Sequence, residues 1–132
     1  MDGKESEAMS LKMKRSEAEV KKAIQDYLKA KGYMVFRMNA GAMFASYKGR
    51  TRKIQMNPAG TADLLVLTKE KLAYRTWNDV VFFEYNKVIW IEVKASHSGT
   101  MSKEQRLFQK MVKDEGHVYI LARSVEDVMR VL

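Results

Sequence analysis

Val88-Ile89-Trp90-Ile91-Glu92-Val93-Lys94 is an apolar run that closes on a carboxylate and an ammonium two residues apart. Residues two apart in a strand share a face, so Glu92 and Lys94 project together while Ile91 and Val93 point the other way. The pattern predicts a buried strand that delivers a charged pair to its end. Upstream, Gly60-Thr61-Ala62-Asp63 leads into a second apolar run, Leu64-Leu65-Val66-Leu67, and the chain's single proline, Pro58, lies in the loop before it. On neighbouring strands Asp63 and Glu92 come close enough to repel, and a cation relieves that repulsion. Mg²⁺ or Mn²⁺ suits the place, because such ions take hard oxygen ligands: one or two carboxylates, water and substrate phosphate. Lys94 would then hold or polarise the water that attacks phosphorus. A Glu-x-Lys triplet alone is a weak signal, since Glu19-Val20-Lys21 repeats it on a predicted helix. The flanking apolar runs single out Glu92 and Lys94.

Length and composition narrow the class. A chain of 132 residues predicts one domain with a sizeable core, residues 16 to 132, behind a flexible lead-in over residues 1 to 15. No cysteine is present, which excludes a disulfide scaffold, a zinc-thiolate site and a cysteine nucleophile. His97 and His117 are too few and too far apart for zinc. No apolar stretch has the length of a membrane span, and the N-terminus lacks a signal-peptide core, so the expectation is a soluble cytoplasmic protein with no membrane partner. The net charge of +8 points to a polyanionic partner. That charge is concentrated: residues 1 to 58 hold 13 Lys and Arg against 6 Asp and Glu, whereas residues 59 to 132 hold 11 against 10.

Along the chain, Ser16-Glu17-Ala18-Glu19 reads as a capping box, followed by the helical stripe Val20, Ile24, Tyr27, Leu28 and a stop near Gly32. Glu17 lies about 20° from Ile24 on the helical wheel and Glu19 about 140° away, so Glu17 is the acid on the inward side. Two readings of Glu17 stand: a member of the acidic cluster, or a charge favoured at a helix N-terminus. Tyr33 to Met38 predicts a strand, Asn39-Ala40-Gly41 a turn, and the segment to Pro58 a long loop carrying Lys48, Arg50, Arg52 and Lys53. Those cations either contact phosphates beside the cleft or form a solvated charge run. The strand Ala62 to Leu67 is expected to end in Thr68-Lys69-Glu70-Lys71. An aromatic-rich insert from Leu72 to Tyr85 follows, to pack in the core, against a second subunit or on unpaired bases, and Asn86-Lys87 is expected to turn into the Val88 strand. Ser102-Lys103-Glu104-Gln105 is a second capping box, where Gln105 either caps only or also faces the site. Gly116, a strand from His117 to Ala122 and a short final helix capped by Ser124 complete the chain.

The order Glu17, Arg37-Met38-Asn39-Ala40-Gly41, Gly60-Thr61-Ala62-Asp63-Leu64, Ile91-Glu92-Val93-Lys94 and Gly99-Thr100-Met101-Ser102 with Gln105 resembles the VRR-NUC branch of the PD-(D/E)xK nuclease superfamily, over roughly Ser16 to Asp127. The resemblance implies a restriction-endonuclease-like α/β core. In it a central mixed β-sheet is flanked by helices in the order αβββαβ, with a short helix after. It implies a Mg²⁺- or Mn²⁺-dependent DNA endonuclease in which Asp63, Glu92, the Val93 carbonyl and Glu17 hold metal, Lys94 positions the nucleophile and Gln105 supports the site. DNA would be met by Lys48, Arg50, Arg52, Lys53, Arg37 and Asn39. It further implies a homodimer of the Holliday-junction-resolvase kind, acting in DNA repair. A non-catalytic nucleic-acid-binding module of the same fold and a non-specific nuclease are the alternatives.

Overall fold

The computed structural model describes residues 14–38, 43–54 and 57–132, with the side chains of 43–47 and 51–54 outside the description. Its elements are α1 (Glu17–Ala30), β1 (Met34–Arg37), β2 (Met43–Tyr47), β3 (Arg50–Ile54), β4 (Leu64–Arg75), β5 (Val80–Val93), α2 (Lys103–Asp114), β6 (Val118–Ala122) and α3 (Val125–Met129). A four-stranded mixed sheet in the order β1-β4-β5-β6 carries antiparallel pairs throughout except for the parallel β5–β6 pair. A mixed sheet with helices beside it is thus the architecture, as the alternation of periods predicts. Among the described residues no helix is long and apolar enough to cross a membrane.

Sheet pleating sorts the side chains onto two faces. On one, Leu64, Val66, Ile89, Ile91, Val93, Ile120 and Ala122 are buried with Val20, Ile24 and Leu28 of α1 and Val128 of α3. The other face receives α2, whose Val112 and Phe108 pack with Ala62, Trp90 and Tyr119. Trp90 and Phe108 meet edge-to-face at 4.9 Å between ring centroids. Trp90, Glu92 and Lys94 therefore emerge on the α2 face, and the alternation read from the sequence places them there together. α1 starts where expected: Ser16 Oγ accepts from the Glu19 backbone N–H at 3.2 Å, and the Ser16 hydroxyl donates to the Glu19 carboxylate at 3.1 Å. Arg15, at the end of the predicted lead-in, exchanges bonds with Ser96: its N–H donates to Ser96 Oγ and its carbonyl accepts from the Ser96 N–H.

Three expectations are corrected. The strand after Asp63 does not stop at Leu67. β4 runs on through Thr68-Lys69-Glu70-Lys71 to Arg75, paired residue for residue with β5. Asn86 and Lys87 form no turn, because they lie within β5 opposite Lys69 and Thr68. The reversal is at Thr76–Asp79 instead, where the Thr76 N–H donates to the Asp79 carbonyl at 2.8 Å and Thr76 Oγ1 accepts from the Asp79 N–H at 3.1 Å. The polar run reads as a turn in sequence because this half of the hairpin projects into solvent, where neither face has to be apolar. Secondly, the aromatic insert is no part of the core: Tyr74, Phe82, Phe83 and Trp77 are exposed, Trp77 at 96%. Thirdly, the loop expected between Gly41 and Pro58 contains a separate hairpin, β2–β3, so the order is αβββββαβα and not αβββαβ followed by a helix. Its two-residue turn, Lys48-Gly49, has positive φ at both positions (49° and 74°), a mirror-image turn whose twist suits a hairpin.

Candidate active site

Asp63 ends the loop that enters β4, Glu92 lies near the end of β5, one strand away, and Lys94 is the first residue after β5. All three are buried, Glu92 to 2% exposure. A buried carboxylate is costly unless its oxygens are bonded, and the chain supplies the bonds from four directions. Asp63 Oδ2 accepts from the Val93 backbone N–H at 2.8 Å, and Oδ1 from Lys21 Nζ of α1 at 3.1 Å. Glu92 Oε1 accepts from Gln105 Nε2 at 2.8 Å and lies 3.6 Å from Lys94 Nζ. Lys94 Nζ donates to Gln105 Oε1 at 3.0 Å.

Gln105 resolves its two readings by doing both tasks. Its Oε1 accepts from the Ser102 N–H at 2.9 Å while Ser102 Oγ accepts from the Gln105 N–H at 3.1 Å, which closes the capping box. The same amide bridges Glu92 and Lys94, so the start of α2 fixes the distance between acid and cation. Gly60 allows that closeness. With φ at +88°, it lies so near α2 that a Cβ there would stand 2.4 Å from the Glu104 carbonyl carbon and oxygen. Behind Lys94, Arg123 donates to the carbonyls of Ala95, Ser98 and Gly99, and Gly99 borders the Lys94 stem.

Among the described residues two buried polar atoms near this network have no hydrogen-bond partner: Glu92 Oε2 and the Tyr119 hydroxyl. Burial first, and then the charge of Asp63, push the Glu92 carboxyl up to about 7, with Lys94 pulling the other way and Glu17 adding to the rise. The Tyr119 phenol is raised by burial and by Glu92 and Asp63. A prediction follows for the protein in chelator. Between about pH 4.5 and 7 folded Glu92 keeps a proton that the unfolded chain has released, so the folded state binds more protons and stability falls as pH rises. Urea unfolding should show a loss on the order of 2–3 kcal/mol from this group between pH 5 and pH 8. The loss should vanish in Glu92→Gln; equal pH profiles for the two proteins would contradict it.

Of the other predicted residues, Glu17 is exposed on the first turn of α1 and reaches the cluster through its field. Among the described residues no group of three or more His, Cys, Asp or Glu converges to hold a metal; Asp63 and Glu92 are the two buried carboxylates. Arg37 is exposed and pairs with Leu64, next to Asp63. Lys48 and Arg50 are exposed at the β2–β3 turn, in the separate sheet. Asn39 and the side chains of Arg52 and Lys53 lie outside the described residues. Sequence reading missed Lys21 and Tyr119. Lys21 stands four residues after Glu17 on the same side of α1, a spacing that marks the pair; Tyr119 carries no signal beyond its place in an apolar strand.

No protein-family model, no curated protein and no solved structure matches the chain.

Proposed function

We propose that the protein is a divalent-metal-dependent DNA endonuclease of the PD-(D/E)xK kind. The observation that carries this reading is the buried Asp63–Glu92 pair on neighbouring strands, with Lys94 and Gln105 bonded beside it and Glu92 Oε2 unpartnered. A buried carboxylate oxygen without a partner is uncommon and calls for an explanation, which a bound cation would supply. The donors fit Mg²⁺ or Mn²⁺, which need only one or two carboxylates and complete their shell with water and substrate oxygen. Asp63 and Glu92 would hold the ion, with the Val93 carbonyl as the backbone ligand that the family resemblance implies. When bound, the ion supplies charge stabilisation for the phosphoryl oxygens and lowers the pKa of water. Gln105 keeps Lys94 Nζ aimed, and Lys94 donates to the attacking water and orients it toward phosphorus. Cations of the β2–β3 hairpin and Arg37 serve phosphate contact without base reading.

The same reading includes a homodimer. One two-carboxylate site cuts one strand at a time, so paired cuts need two copies on a two-fold axis. The projecting half of the β4–β5 hairpin offers the surface. Leu72, Tyr74, Val81 and Phe83 share one of its faces, and Trp77 stands at its tip, all of them exposed. Together these expose roughly 500–700 Å² of largely apolar area, which is large for a monomer's patch and close to one side of a standard interface. At the base of that face Glu70 is already paired with Lys87 at 2.7 Å, so that lysine's charge is neutralised where a second copy would dock. Light scattering after size exclusion should give a dimer mass, and opposed nicks in a four-way junction should exceed cleavage of flap and linear duplex. A monomer cutting all three at one rate would leave a non-specific nuclease.

A further inference from the structure

Lys21 is the one cation of α1 that enters the acidic cluster among the described contacts, and the mechanism above gives it no task. Asp63 has two oxygens. Oδ2 accepts from the Val93 N–H at 2.8 Å in the buried backbone, whereas Oδ1 is held only by the side chain of Lys21, whose Nζ sits on it at 3.1 Å, so Oδ1 is the oxygen whose partner can move away. The lysine is only partly buried, at 25% side-chain exposure against 8% for Asp63, so it has solvent to retreat into. Glu92 Oε2 is buried in the same cluster with no hydrogen-bond partner among the described residues.

Resting on the metal-site reading, we infer that Lys21 is a resident counter-cation of Asp63 that a divalent ion displaces, and that the freed ammonium then binds the substrate's phosphate. The electrostatics favour the exchange. At equal dielectric, a double charge about 2.1 Å from a carboxylate oxygen attracts it roughly three times as strongly as a single charge at the ammonium distance. An ion on Oδ1 also repels the ammonium. Lysine suits this role because its charge is compact, its stem is flexible and its single contact breaks without a bidentate geometry to lose. Once displaced, it remains on α1 beside the cluster, where the strongest new anion is a phosphate held by the ion. The lysine thus keeps the carboxylate neutralised in the metal-free protein and couples ion binding to substrate binding.

The test measures binding and needs no turnover. Mn²⁺ titration calorimetry is run on wild type, Lys21→Ala, Lys21→Gln and Asp63→Asn, with thermal unfolding to confirm that each is folded. Loss of the competing cation should tighten Mn²⁺ binding about tenfold in both Lys21 variants, while Asp63→Asn abolishes it. In Ca²⁺ the Lys21 variants should bind a labelled four-way junction about fivefold more weakly than wild type, with no difference in EDTA, because one phosphate contact is lost only when the ion is present. Unchanged or weaker Mn²⁺ affinity in both Lys21 variants, beside tight binding by wild type, overturns this inference and leaves the metal site standing. An equal loss of junction affinity with and without Ca²⁺ overturns the coupling. A wild-type protein that takes up no Mn²⁺ overturns the metal site itself, and this inference with it.

Discussion

Lys94→Ala is expected to lower divalent-dependent cleavage by about 10²–10⁴-fold, the range of a group that orients or exchanges a proton with the nucleophile. Its DNA affinity should stay within about twofold, since one of many cations is lost from phosphate contact. The geometry sharpens the prediction. Lys94 Nζ is bonded to Gln105 Oε1 and lies 3.6 Å from Glu92 Oε1, so its removal also leaves a buried carboxylate without its nearest cation. Lys94→Ala should therefore raise the Glu92 carboxyl further, and the fall in stability above neutral pH should deepen. Gln105→Ala separates positioning from chemistry: Lys94 remains but is no longer aimed, so kcat should fall by a smaller factor, about tenfold, while DNA binding holds. Wild-type turnover by purified Lys94→Ala at saturating Mg²⁺ would remove Lys94 from the mechanism.

Gly60→Ala is expected to have the largest effect on the fold. The residue holds φ at +88°, which costs a side-chain-bearing residue about 1–2 kcal/mol. Its Cβ would also stand 2.4 Å from the backbone of Glu104 and 2.9 Å from the Gln105 nitrogen. Main-chain atoms of a capped helix cannot step aside as a side-chain tip can, so α2 must shift. Together these predict a loss of about 3–5 kcal/mol and a fall in Tm of roughly 10–20 °C. Gly116→Ala is the matched control, because φ is +79° there but nothing lies within 4 Å of the added carbon. It should cost only the backbone strain. Because the α2 start carries Gln105, the folded fraction of Gly60→Ala should also lose activity, whereas Gly116→Ala should keep it.

What sequence could and could not reveal follows from which residues had to obey a period. Ile89, Ile91 and Val93 are enclosed under α1 and α3, so alternation was strict there and placed Glu92 and Lys94 on the opposite face. Gln105 was visible because a capping box fixes its position relative to Ser102. The outer half of the β4–β5 hairpin obeyed no such rule: with Tyr74 and Phe83 on one side and Lys71 and Phe82 on the other, all in solvent, the alternation that marks a strand is missing. The β2–β3 turn was hidden for a different reason, since Lys48 takes a positive φ that sequence signals reserve for Gly, Asn or Asp. Lys21 was passed over because a lysine on a helix usually serves solvent; its spacing from Glu17 puts the two on one side of α1, but its partner Asp63 comes from the packing of α1 against the Asp63 loop.

If the Asp63–Glu92 pair holds a divalent ion for phosphodiester hydrolysis, as proposed, cleavage must depend on both the ion and the Glu92 carboxylate. Supercoiled plasmid and a labelled four-way junction are incubated with wild type and with Glu92→Gln, each in Mg²⁺ and in excess EDTA. Cleavage is expected by wild type in Mg²⁺ alone, and none by Glu92→Gln or by either protein in EDTA. Cleavage that persists in EDTA, or equal cleavage by Glu92→Gln, would contradict it.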